Sequence, residues 1–144
     1  NYEVIHHTQF INDLISQGKI TLNKSLQGTL TYHDPCYLGR YNSTYDQPRS
    51  ILNGLSKQGV KELDRHGKES FCCGAGGGRM WLEENIGKRI NVERAEEIVD
   101  NKAKTVAVAC PFCLTMVEDG MKELEQEEEI KTLDIAELVA THMV

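Results

Sequence analysis

The sequence predicts an α/β fold, a mostly parallel sheet flanked by helices, built as one domain over residues 1–144. Three observations carry this. Short β-prone runs alternate with helical patterns along the whole chain, as strand–helix–strand layering requires. Thr105 to Ala109 (Thr-Val-Ala-Val-Ala) is a continuous run of small, mostly apolar residues, the mark of a strand buried on both faces. The chain has 144 residues, 40% hydrophobic and 26% charged, enough apolar content for one globular core and too much for disorder.

Taken in order, Val4, His7, Ile11, Leu14 and Ile15 share one helical face, and Gly18 stands where such a helix would stop. Thr29 to His33 is a short strand closed by the Asp34-Pro35 break. Asp46 and Pro48 open a helix whose buried face is Ile51, Leu52 and Leu55, with Gly59 as its stop. Val60 to Leu63 reads as a second strand, turning through His66-Gly67 into Ser70-Phe71. A helical stretch covers much of Met80 to Val99, broken around Gly87. After the buried third strand at Thr105–Ala109, Leu114, Val117, Met121 and Leu124 recur at spacings of 3, 4 and 3, a helical face. Ile130 to Leu133 is a last strand, and Asp134 with Glu137 forms a capping box that opens a final helix.

Several function classes fall away on composition. No apolar run approaches the roughly 18 residues of a bilayer span, and no leader pattern opens the chain. A net charge of −6 without basic clusters argues against nucleic acid as a partner. Five cysteines, an odd number, make a poor disulfide scaffold. The chain opens on Asn1 with a helical pattern at once, so a fragment of a longer protein is expected ahead of the alternative, a processed chain. The expected location is cytoplasmic, at the inner face of a membrane complex if the parent belongs to one.

The cysteines run Cys36, 35 residues, Cys72-Cys73, 36 residues, then Cys110-Pro111-Phe112-Cys113. Each group follows a predicted strand, so all five map to the carboxyl edge of the sheet, where open α/β sheets gather ligands. Free cysteines can be small core hydrophobes. An adjacent pair fits that poorly, since neighbours on a strand point to opposite faces. Metal ligation accounts for more. A Cys-x-x-Cys that ends a strand and opens a helix brings two sulfurs together at free N–H groups and a positive dipole end, both of which favour thiolate. Pro111 suits the first helical turn. The Gly74-Ala75-Gly76-Gly77-Gly78 loop can bring backbone N–H groups to sulfur.

Two other motifs are mimicked. Gly74-x-Gly76 is like the start of a dinucleotide fingerprint, but Arg79 holds the third glycine position and no long apolar strand precedes it. Cys110-Pro-Phe-Cys113 is like the dithiol redox site of glutaredoxins. That motif opens its fold, whereas here only about 30 residues follow, and Cys36, Cys72 and Cys73 are left without a role.

With these residues in view, the chain resembles the cysteine-rich CCG domain found in heterodisulfide reductases, in the iron–sulfur subunits of glycolate oxidase, and in lactate-utilisation proteins. The flanking words agree: His33-Asp34-Pro35-Cys36-Tyr37-Leu38-Gly39-Arg40, Ser70-Phe71-Cys72-Cys73-Gly74-Ala75-Gly76-Gly77, and Ala109-Cys110-Pro111-Phe112-Cys113. The Gly76 to Trp81 run looks most like the heterodisulfide-reductase-related oxidoreductases that exchange electrons with flavoprotein or quinone partners. The resemblance implies an electron-transfer domain in which Cys36, Cys72, Cys73, Cys110 and Cys113 hold a 4Fe–4S type cluster, non-cubane in the reductase. The family usually carries two such domains, often behind a ferredoxin-like segment. With one copy and no ferredoxin cysteine run here, the expectation is the C-terminal copy of a larger protein. Some relatives hold zinc instead, and a structural zinc site on four of the five cysteines is the alternative. Five ligands exceed a tetrahedral site, which favours iron–sulfur.

Other residues carry weaker signals. His33 can hydrogen-bond a ligand sulfur or shuttle a proton, or simply cap a strand end. His6 and His7 read as a surface pair or helix-face residues, and His66 and His142 receive no role. Arg40, Arg49 and Arg79 are candidates for the cluster face, at least two of them better read as solvated. Glu123 to Glu129 reads as a solvated helix end. Met80 and Trp81 are expected to cover the cluster edge or the core. Apart from the cysteines, no residue stands out as an acid, a base or a nucleophile.

Overall fold

The structure, a computed structural model, describes all 144 residues, Asn1–Val144. Eight regular elements follow one another: α1 (His7–Ser16), β1 (Leu30–Tyr32), α2 (Asp46–Leu55), α3 (Ile90–Asp100), β2 (Thr105–Val108), α4 (Pro111–Glu123), β3 (Lys131–Asp134) and α5 (Ile135–His142). The strands form one parallel sheet in the order β1-β2-β3, with Thr31 opposite Val106 and Val106 opposite Thr132. No helix is long and apolar enough to cross a membrane.

The central strand explains the layering. Successive side chains of a strand point to opposite faces. Val106 and Val108 accordingly enter one core, with Leu63, Ala95, Ile98, Val117 and Met121. Ala107 and Ala109 enter the other, with Leu52, Leu55, Ile135 and Leu138. One face is thus covered by α3 and α4, the other by α1, α2 and α5. Every residue of β2 is buried, as its apolar run predicts, and each buried Val or Leu contributes roughly 1.5–3 kcal/mol.

The helix signals work as read. Asp34-Pro35 ends the first strand, Asp46 opens α2, and Ile51, Leu52 and Leu55 are its buried face. Asp134 accepts from the Ala136 N–H at 2.8 Å while Glu137 accepts from the Asp134 N–H at 2.9 Å, so the capping box starts α5.

Three expectations are corrected. The first helix begins at His7, not at the chain start: His6 caps it, and Val4 is exposed despite its helical spacing. Val60 to Leu63 is not a full strand. It makes a single parallel bridge, Val60 to Leu30, beside a β1 only three residues long. It still lies against the sheet edge, held by Lys61 N–H to Leu30 O at 2.8 Å and the Thr31 hydroxyl to Lys61 O at 2.7 Å. The stretch from Met80 to Val99 is helical only from Ile90; the six residues Gly76–Trp81 form an irregular 3-10 segment, because Gly77 and Gly78 both take positive φ.

Candidate metal centre

Three loops at the carboxyl edge of the sheet deliver the five cysteines, two of them directly from strands. β2 ends at Val108, and Cys110 turns the chain as the N-cap of α4, with Pro111 in the first helical turn. Leu114 N–H closes that turn on Cys110 O at 2.9 Å. Cys113, one turn in, is buried. The neighbouring Cys113 thiol favours the Cys110 thiolate; burial opposes ionisation, but the N–H groups of Cys113 and Phe112 add to that support and bring Cys110 down to about 6. The chain beyond β1 passes through His33, Asp34 and Pro35 to Cys36, which stands half-buried ahead of a π-helical turn, Tyr37–Tyr41.

Cys72 and Cys73 arrive differently, on an extended loop without a strand before it. That loop is steered by a glycine. Gly74 has φ of +92°, and a Cβ there would meet the Ile90 Cβ at 3.2 Å and the Asn91 nitrogen and Met116 Cε at 3.3 Å. Its N–H reaches the Cys72 sulfur at 3.3 Å. Only glycine suits both the conformation and the space, which is the physical content of the Cys-Cys-Gly word.

The sulfurs converge. Cys113 Sγ lies 3.5 Å from Cys73 Sγ. Cys73 receives hydrogen bonds from Cys113 and Cys72; burial resists, but these with His33 and the Ala75 N–H hold it well below the usual thiol range. Cys72, bonded to Cys73 and partly buried, is pushed up. Cys113, bonded to Cys110 and Cys73, is also pushed up, so the shared protons reside on these two. A small cavity is lined by Cys36, Cys72, Cys73, Cys113 and His33. A larger one, about 490 Å³, adjoins it at Cys36 and Cys113, takes in Cys110, and is roofed by His6 and the residues before it. The five thiols thus line two cavities that have Cys36 and Cys113 in common.

These residues fit a thiolate-bound metal group. Two sulfurs on one ion at about 2.3 Å each, at a tetrahedral angle, stand about 3.8 Å apart. The Cys73–Cys113 separation is already close to that. A donor set of five sulfurs is soft, and two of them, Cys73 and Cys110, are held below the usual thiol range.

The surrounding charges are built into the fold. Arg49 is mostly buried and pairs with Asp34 and Glu62, so it braces the site and does not face a partner. Arg40 borders the small cavity and donates to Ser70 O. Arg79 is exposed and paired with Glu84. Trp81 is 79% exposed and covers neither cluster edge nor core, while Met80 packs on the core of α3 and α4. His6 caps α1 and lines the larger cavity together with His7, their rings tilted with centroids 4.2 Å apart. The glutamates from Glu123 to Glu129 are exposed.

One residue escaped sequence reasoning. Arg94 is fully buried, with Nε donating to His33 Nδ1 at 3.0 Å. Its signal was its place: three residues after Asn91 and four before Ile98, it lies on the buried stripe of α3.

A model of the CCG cysteine-rich domain family matches residues 30–118, which includes all five cysteines. The chain belongs to this family. This CCG domain is 46% identical over 138 residues to the "Probable iron-sulfur-binding oxidoreductase FadF" of Bacillus subtilis, covering 96% of the chain and 20% of that protein. It is 44% identical to the EtfAB:quinone oxidoreductase of Syntrophomonas wolfei, again over 96% of the chain and 20% of the relative. A subunit of the dihydromethanophenazine:CoB–CoM heterodisulfide reductase of Methanosarcina acetivorans is 37% identical, over 96% of the chain and 34% of the relative. The CCG domain thus spans about a fifth of the length of the first two relatives.

Proposed function

We propose that this CCG domain is the iron–sulfur electron-transfer domain of a larger oxidoreductase, with Cys36, Cys72, Cys73, Cys110 and Cys113 holding a 4Fe–4S type cluster. The observation that carries the reading is that five thiols from three separate segments line two cavities sharing Cys36 and Cys113, with Cys73 and Cys113 at 3.5 Å. A cluster supplies one-electron transfer when bound. The chain supplies sulfur donors, N–H groups that favour thiolate, and apolar walls from Leu38 and Ala109 in the larger cavity. The relatives' names, one iron–sulfur-binding and one a quinone oxidoreductase, support a redox role. Their greater length supports a domain that works within a longer chain. In this reading it is the C-terminal cysteine-rich copy, beside a flavoprotein or quinone-linked partner. A cytoplasmic position, at the inner face of a membrane complex, is part of the same reading.

The test is an assay of iron, acid-labile sulfide and zinc on anaerobically prepared protein, read with its EPR spectrum. Iron and sulfide with a reducible signal are expected. One zinc per chain without iron or redox activity would replace this reading with a structural zinc site. Neither metal, with reversible Cys110–Cys113 disulfide formation, would point to a dithiol.

A further inference from the structure

A fully buried arginine is uncommon and needs a reason. Arg94, on α3, is 0% exposed and spends its guanidinium on three groups of the site's supporting wall. Nη1 donates to Arg65 O at 3.0 Å and to Glu97 Oε2 at 2.8 Å, and Nε donates to His33 Nδ1 at 3.0 Å. Nη2 is buried without a partner, so the side chain is held for its other contacts. Glu97 in turn accepts from the Arg65 N–H at 2.7 Å, and Arg65 lies over the Phe71 ring at 3.7 Å, directly before Cys72.

The contact with His33 has a chemical consequence. A guanidinium has only donors and keeps its protons in proteins. Nδ1 facing it must therefore be the bare, accepting nitrogen, and in a neutral ring the proton sits on Nε2. His33 is 1% exposed and lines the small cysteine cavity, its ligand-capable atom within 4.8 Å of the Cys73 and Cys113 sulfurs. By distance alone His33, Cys73 and Cys113 could share a metal ion. The tautomer decides against it. A ligating histidine offers a bare nitrogen to the metal and donates its other N–H to an acceptor. Here the other nitrogen meets a donor, the reverse arrangement.

We propose that Arg94 is a positioning residue that locks His33 as an Nε2–H donor toward the Cys73 sulfur, so that His33 tunes a sulfur-bound metal group without ligating it. The effect on a cluster rests on the proposed function; the tautomer does not. An N–H aimed at a ligand sulfur stabilises the more negative, reduced state and raises the reduction potential.

Two measurements test this on the chain. The first is the ring spectrum of His33 in 15N-labelled protein, metal-free and with Zn²⁺ added. A bare Nδ1 and a protonated Nε2 are expected in both states, and Arg94→Met is expected to lose that single pattern. Protonation at Nδ1, or a metal-bound ring nitrogen after zinc addition, overturns the proposal. The second is a redox titration of the iron-loaded chain. His33→Leu is expected to lower the midpoint potential with iron per chain unchanged, and His33→Gln, which restores an N–H donor, to recover most of the shift. Loss of iron in both variants would make His33 a ligand, and unchanged potentials would remove its tuning role; either overturns the proposal. A wild-type chain that takes up no iron defeats the proposed function alone, while the ring spectrum still decides the tautomer.

Discussion

Arg49 grips Asp34 with both ends of its guanidinium, Nη1 to Oδ1 and Nη2 to Oδ2, each at 2.8 Å. Asp34 also accepts from the Gly67 N–H at 2.8 Å, and Arg49 also bonds Glu62. One buried carboxylate thus ties together α2, the segment that leads into Cys36 and the turn that leads toward Cys72. Lysine carries the charge but not the planar fork. Arg49→Lys is expected to destabilise the metal-free chain by about 2 kcal/mol, since it leaves Asp34 buried with a poorer partner. The urea unfolding midpoint measures it, and a midpoint equal to wild type would mean that the pair contributes nothing.

Gly120 marks the crossing of α3 and α4. A Cβ there would lie 2.6 Å from the Asn91 carbonyl oxygen and 2.9 Å from the Ala95 Cβ. The oxygen belongs to a helix backbone, which cannot swing aside as a side-chain end can. Alanine would gain about 1 kcal/mol of helix propensity. Separating the helices should cost about 1–3 kcal/mol more than that gain. Gly120→Ala is therefore expected to be destabilising on balance, while folded chains keep the wild-type metal content. A variant more stable than wild type would show that the helices part freely.

The cysteines are not equivalent. Cys73 sits buried between Cys72 and Cys113, whereas Cys36 is half-buried at the rim between the two cavities. An adjacent pair can also serve two irons. Cys72→Ser and Cys73→Ser are expected to lower iron per chain more than Cys36→Ser does. Equal iron in all three variants would remove this ranking.

How much of this was legible depended on whether a feature is local. The strand-to-helix turn at Cys110-Pro111, the alternation through Val106 and Ala107, and the Asp134–Glu137 capping box are set by residues within a few positions, and each reads directly. Val60 to Leu63 misled because a strand needs a neighbour of matching length, and β1 offers one bridge only. Trp81 misled because aromatic size suggests burial, while the positive-φ glycines before it carry the segment outward. Arg94 and His33 are 61 residues apart, and their contact exists only once α3 has packed against the sheet. The five sulfurs were legible as a set because their spacing is itself the motif; their proton sharing was not.

Glu97 links the site wall to acid stability. Burial pushes its carboxyl up from the ordinary value of 4.5, but the Arg65 N–H, the charge and hydrogen bond of Arg94, and the Arg65 side chain together hold it lower. The folded pKa thus lies below the unfolded one, and the folded state binds the proton less well. The contribution of Glu97 is complete at neutral pH, begins to fall as the unfolded chain takes up protons near 4.5, and is gone below the folded pKa. Glu97→Gln leaves Arg94 buried with no carboxylate and should cost about 3 kcal/mol at neutral pH. As pH falls below 4.5 that deficit should shrink, because protonation progressively removes the same charge from wild type. Other titrating carboxylates remain in both proteins, so the difference between their urea midpoints from neutral pH to about pH 3 isolates this one group. A deficit that stays constant over that range would show that the Glu97 carboxylate charge does not contribute to the fold.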